Sequence, residues 1–151
     1  MDYLKKIYQN IEAQKDEMIS TLSELIQIKS VNEEAITTTD GKVLPFGQGV
    51  QEAFEYTLAK GLEFGFETEN IDNYGGHLEM GGLVYDDKDE VIGTCDEIVG
   101  ILGHLDVVPE GDDWTAQPFG GEVRDGKIFG RGTTDDKGPV VACLYAMKAI
   151  S

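Results

Sequence analysis

The stretch EIVGILGHLDVVP, residues 97–109, decides how the chain is read. It passes from a near-continuous apolar run, residues 98–103, into His104, Leu105 and Asp106. A strand without polar alternation is one buried on both faces, as at the centre of an α/β sheet. At a period of two, His104 and Asp106 point to one face and Leu105 to the other. Ligands of open α/β sheets collect outside the carboxyl ends of strands, where this pair stands. An Asp two residues from a His can hold one imidazole nitrogen and leave the other free for a metal. Taken alone, the pattern suits a hydrogen-bonded structural histidine equally well.

Downstream, GEVRDGKIFGRG reads as a hairpin turned at Asp125 and Gly126, a dipeptide suited to the two positive φ angles of a type I′ turn. Then comes GRGTTDDKG, residues 130–138, with three glycines and two adjacent acids just before a helix. Capping of the helix start explains one acid. It does not explain why Asp135 and Asp136 stand together beside a Gly-Arg-Gly turn. The order G-x-x-x-x-G-K-[ST] is absent, which excludes a P-loop, and no G-x-G-x-x-G follows a strand. Pro139 suits the first turn of a last helix through VVACLYAMKAIS, which reaches Ser151 with no C-cap signal.

Upstream, Leu4, Ile7, Ile11, Met18, Leu22, Leu25 and Ile26 recur at helical spacing and predict a long surface helix over residues 2–28. Residues 29–49 lack a period and are expected to be loop. A second helix is expected over 49–64, with Val50, Phe54, Leu58 and Leu62 on one face. Strands are expected at 66–71, 77–80, 82–85 and 98–103. DDKDE, residues 86–90, reads as an exposed hairpin tip, since five charges in a row are costly to bury. It lacks the order of a calcium loop.

The chain has 151 residues, 12 Lys+Arg against 29 Asp+Glu and a formal charge of −17, with 40% hydrophobic residues. This is the composition of a globular chain. The charge opposes binding to a phosphate backbone or an anionic membrane surface, so neither nucleic acid nor membrane is expected as a partner. No apolar run reaches the about 20 residues that span a bilayer, and the amphipathic N-terminus is not a secretory signal. Cys95 and Cys143 lie in unlike contexts and form no CxxC, so a reducing cytoplasm is expected and Cys143 reads as a small buried hydrophobe.

Together, GILGHLDVVPEGDDW, Pro118-Phe119 and DGKIFGRGTTDDKGP closely resemble the di-zinc metallopeptidase family of aminoacylases, carboxypeptidases, deacylases and dipeptidases. Within it the chain resembles the PepV-like, carnosinase-related Xaa-His dipeptidases. IKSVN, PFGQGV and GFETENIDNYGG extend the resemblance over nearly the whole chain. Residues 86–97 resemble an insertion relative to shorter relatives.

The resemblance implies a three-layer α/β/α catalytic domain with a mixed sheet. It gives His104 and Asp135 as metal ligands, Asp135 bridging two zinc ions, and Asp106 as the catalytic-site residue that orients His104. It also implies a cis Asp135–Asp136 bond, with Asp136 a turn and helix-start acid. Arg131 reads as structural, His77 as an ordinary strand histidine, and Trp114 and Phe119 as packing beneath the loop. The implied reaction is hydrolysis of a dipeptide or short peptide by metal-activated water, with a glutamate as general base.

The family's Glu-Glu pair, its other metal ligands and its lid domain have no counterpart in these residues. Residues 1–151 are therefore expected to be the N-terminal part of a catalytic domain, inactive alone and at most a weak metal binder. Dimerisation, or its charge, is expected to keep it soluble. Two alternatives stay open: a metal-dependent deacylase or desuccinylase of N-acyl amino acids, and a non-catalytic α/β module.

Overall fold

The computed structural model describes residues 3–88 and 90–151. Asp2, the expected start of the first helix, and Asp89, in the expected hairpin tip, lie outside the described residues. Three helices carry the core: α1 (Tyr3–Gln27), α2 (Gln48–Glu63) and α3 (Lys137–Ile150). All three lie within about two residues of where apolar periodicity and the Gly-Pro punctuation predict them. None is long and apolar enough to cross a membrane.

The helices meet in one cluster: Leu25 of α1, Ala53 of α2, and Val141 and Tyr145 of α3 are buried together. Phe64 packs edge-on against Tyr145, with ring centroids 5.0 Å apart. The helix pair α1–α3 makes the most extensive contact between elements. It is stitched by polar bonds: Thr21 Oγ1 and Tyr145 OH at 2.8 Å, Lys148 Nζ to Glu17 Oε2 at 2.8 Å, and Asn10 Nδ2 to the Ala149 carbonyl at 2.9 Å.

The expected apolar face of α1 is buried at only one end. Leu25 and Ile26 are sealed, whereas Leu4 is 62% exposed and Ile11 39%. Helix length accounts for this. At 1.5 Å per residue, α3 with 14 residues spans about 21 Å, against about 38 Å for the 25 residues of α1. One helix cannot cover the other.

Among the described residues the strands form four antiparallel pairs: β1 (Ile36–Thr37) with β2 (Val43–Leu44), β3 (Glu67–Ile71) with β4 (Gly75–Glu79), β5 (Leu83–Tyr85) with β6 (Val91–Thr94), and β7 (Glu122–Arg124) with β8 (Lys127–Phe129). The β7–β8 hairpin turns where expected, with Asp125 at φ 51° and Gly126 at φ 70°, the positive pair of a type I′ turn. The stretch expected to be loop contains β1 and β2, and β5 pairs with an unforeseen β6.

The chain is α/β, as the sequence implies, but the mixed central sheet differs from expectation. Residues 98–103 form no ladder with any described residue, and the parallel component is one isolated bridge, Val31 to Val107. Ile98, Val99 and Leu102 are at least 90% exposed. The apolar run has the composition of a buried strand, but a strand is made by its hydrogen-bonding neighbours, and the described residues supply none.

Lys137 ties the helices to the site. Its side chain is fully buried, and Nζ donates to the carbonyls of Leu25 at 2.8 Å and Ile28 at 2.7 Å. These are carbonyls of the α1 C-terminus, which lack helical partners and favour a cation. Burial pushes the ammonium down to about 8. Replacing Lys137 with Met removes both bonds, leaves the Leu25 carbonyl only the 3.3 Å bond from the Ile28 N–H, and should cost about 1–3 kcal/mol in urea unfolding.

The Glu17–Lys148 pair gives a pH-dependent counterpart. The hydrogen bond from Lys148 is the main cause that holds the Glu17 carboxyl below its ordinary value of 4.5. A depressed folded value means the pair stabilises above the ordinary carboxylate range, and the contribution is lost as pH falls through the folded value. Both side chains are partly exposed, so Glu17→Gln should cost under about 1 kcal/mol at pH 7. Thermal midpoints of the two proteins should converge as pH falls below the ordinary carboxylate range and through the lowered folded value.

Candidate functional site

The C-terminal turn of α1 holds both halves of the site. Through Lys137 it fixes the start of α3, next to Asp135 and Asp136. Just beyond the helix, Ser30 Oγ donates to the Leu105 carbonyl at 2.6 Å, and the Val107 N–H donates to the Ser30 carbonyl at 2.9 Å. These bonds flank Asp106. Segments some 30 residues apart in the chain are thereby registered against one support.

The site residues converge. His104 Nε2 lies 2.9 Å from Asp135 Oδ1. On the other side of the ring, Nδ1 lies 3.0 Å from the Asp106 carbonyl and 3.2 Å from its carboxylate. Each ring nitrogen thus faces an oxygen, an arrangement favoured by a positive charge shared between His104 and Asp135, whether a proton or a metal cation. Burial alone lowers the imidazole pKa. The bonds to Asp106 and Asp135, with their charges, outweigh it and raise His104 above its ordinary 6.5. The Asp135 side chain is 85% exposed, so its oxygens are accessible.

A cleft of about 360 Å³ opens over this pair, walled by Asp106, Trp114, Phe129 and Arg131. Arg131 Nη2 donates to the Pro109 and Glu110 carbonyls at 3.2 and 2.8 Å, and its guanidinium lies 5.2 Å from the Trp114 ring centroid. Trp114 Nε1 donates to the same Glu110 carbonyl at 2.6 Å. The Gly130 turn passes so close to α1 that a Cβ there would stand 2.3 Å from Ile26 Cγ2. Among the described residues no three His, Cys, Asp or Glu side chains converge as a metal cluster. His104 and Asp135 are the convergent donors, a nitrogen and an oxygen of the types that bind zinc.

The sequence model of Peptidase family M20/M25/M40 matches residues 100–151, the stretch that carries all of these groups. Over 136 residues the chain is 41% identical to the protein named "Putative dipeptidase YtjP" of Bacillus subtilis (strain 168), covering 90% of this chain and 26% of that protein. This chain belongs to the same peptidase family. It is also 38% identical over 137 residues to the Beta-Ala-Xaa dipeptidase of Lactobacillus delbrueckii subsp. lactis, again over 90% of this chain and 26% of that protein. Its fold is similar to part of human carnosine dipeptidase 1, with a TM-score of 0.61 at 23% identity over 97% of this chain and 31% of that one. The chain spans about a quarter of the length of the curated peptidase relatives it matches.

The Asp135–Asp136 bond is cis, as the resemblance implies. Asp136 occupies the N-cap of α3, but its side chain makes no capping bond. It accepts instead from the His104 main-chain N–H at 3.2 Å. Sequence reasoning missed that contact. The only signal for it was the doubled acid that capping left unexplained. His77 lies on β4, 3.6 Å from Glu69 and away from the cleft. Phe119 lies 5.2 Å beneath the Lys29 ammonium, and Lys29 pairs with Glu110 at 3.0 Å.

Arg131→Ala removes two bonds to the loop after Asp106 and its cover over Trp114. The expected cost is about 1–3 kcal/mol. It should appear as faster amide exchange over residues 107–114, with exchange in α1 unchanged.

Proposed function

We propose that the intact protein carrying this chain hydrolyses dipeptides or short peptides in a zinc-dependent reaction, and that residues 1–151 are the N-terminal part of its catalytic domain. The observation that carries this reading is the His104 ring, set between Asp135 at Nε2 and Asp106 at Nδ1. In the proposal His104 and Asp135 would be the residues of this chain that hold the metal. Asp106 holds the imidazole in the tautomer and orientation that presents Nε2. Bound zinc supplies carbonyl polarisation and water activation. The chain's own residues bind and orient: Trp114 and Phe129 form an apolar wall beside the donors, suited to a substrate side chain. Arg131 keeps the loop that carries Trp114 in place.

A catalytic zinc normally takes three protein ligands, and this chain offers two donors for two ions. The remaining ligands and the general base are therefore assigned to the part of the relatives' length that the chain does not span. On this reading the 151-residue chain alone binds zinc weakly and does not hydrolyse peptides. A soluble cytoplasmic enzyme fits the sequence, and the dipeptidase relatives favour dipeptides over N-acyl amino acids as substrates.

In the intact protein, Asp106→Asn should lower activity and metal affinity by about 10–100-fold, the usual cost of losing a ligand's orienting partner. His104→Ala and Asp135→Ala should cost more than that, and chelation should abolish hydrolysis. A panel of dipeptides and N-acyl amino acids provides the measurement. Full activity in either ligand variant contradicts the site, and turnover of acyl amino acids alone contradicts the substrate class.

A further inference from the structure

An acid at an N-cap ordinarily returns its carboxylate to the N–H groups of its own first turn. Asp136 does not. With φ −128° and ψ 5° it starts α3 through its backbone, the Val140 N–H bonding its carbonyl at 3.0 Å, while its side chain is spent elsewhere. That side chain crosses 32 residues of sequence to the main-chain N–H of His104.

The approach is possible because residue 103 is glycine. A Cβ on Gly103 would stand 2.6 Å from Val140 Cγ2 and 3.0 Å from Asp136 Oδ2. Any side chain there would push the segment off the start of α3 and lengthen the bond. On the N-terminal side of His104 the tether has no substitute among the described residues, whereas Ser30 holds the Leu105 carbonyl on the other side. Residues 98–103 have no ladder partner among the described residues, so sheet hydrogen bonds do not place the His104 main chain.

We propose that Asp136 is a positioning residue whose carboxylate fixes the His104 main chain, so that the ring of His104 meets Asp135 at the metal site. Two consecutive carboxylates then grip one histidine at two points, Asp136 at the backbone and Asp135 at Nε2. Asp106 holds the third point, Nδ1. Because Asp135 and Asp136 are neighbours, any shift of the α3 start moves donor and tether together and preserves their spacing. What the tether requires is a hydrogen-bond acceptor, not a charge, which separates it from an electrostatic role. The inference rests on the reading of His104 and Asp135 as metal donors.

The test uses the intact protein with three readouts: apparent affinity for zinc alone by chelator competition, kcat and KM on a dipeptide, and the thermal midpoint without metal. Asp136→Ala should weaken zinc binding about 10–100-fold and lower kcat, with KM and the metal-free midpoint little changed. Asp136→Asn keeps an acceptor and should restore both affinity and kcat to within about threefold of the parent. Gly103→Ala should reproduce the alanine phenotype with Asp136 intact, and adding Val140→Ala should partly relieve it. This second pair decides the matter if Asp136→Ala does not fold. Parental zinc affinity in both Asp136→Ala and Gly103→Ala overturns the proposal, as does an Asp136→Asn protein no better than Asp136→Ala. If His104→Ala and Asp135→Ala also keep parental affinity, the metal-site reading fails instead. If they lose it while Asp136→Ala does not, only the positioning role fails.

Discussion

One buried ammonium organises this chain. Among the described residues Lys137 has no carboxylate partner; its charge is met by the Leu25 and Ile28 carbonyls, at the end of α1 where the helix dipole is negative. Placing a cation in the core is costly, and burial shows itself in the depressed pKa of the side chain. What the contact secures is register. The residue before Lys137 holds the His104 backbone, and the one before that faces the His104 ring. With Ser30 fastened to Leu105 and Val107, the C-terminal turn of α1 becomes the common reference for every group in the cleft.

This explains why the site is made of loop residues yet is geometrically defined. His104, Asp106 and Asp135 lie outside helices and regular ladders, where backbone freedom is ordinarily large. Here each is one or two residues from an anchored atom: Leu105 and Val107 flank Asp106, and Lys137 lies two residues after Asp135. Arg131 and Trp114 share the Glu110 carbonyl and close the loop on its outer side. The acidic balance of the chain plays little part in this. Glu67 and Glu79 even face each other across β3 and β4, an exposed like-charge pair remote from the cleft.

What could be read from the residues was what local periodicity and turn chemistry encode. The 3.6-residue spacing located three helices, Asp125-Gly126 located a hairpin, and the H-x-D and G-R-G-T-T-D-D segments picked out the groups that meet at the cleft. The misses share one physical origin. The apolar run at 98–103 has the composition of a central strand, but pairing is a property of neighbours and not of the run itself. Ser30 and Val31 sat in a stretch with no period, and nothing local announces that they fasten the Asp106 segment from 75 residues away. Asp136 was read by its position at a helix start, where capping is the common use. Its bond to His104 depends on Gly103, whose missing side chain is informative only once α3 is seen against it. Long-range contacts of this kind leave almost no trace in composition.

His104 Nε2 and Asp135 are proposed to meet on a metal ion. Anomalous diffraction at the zinc edge from crystals of the intact, zinc-loaded protein tests it most directly. A peak is expected between His104 Nε2 and the Asp135 carboxylate, about 2.0–2.2 Å from each, with Asp106 still at Nδ1. Zinc peaks with neither His104 nor Asp135 in their coordination would contradict it.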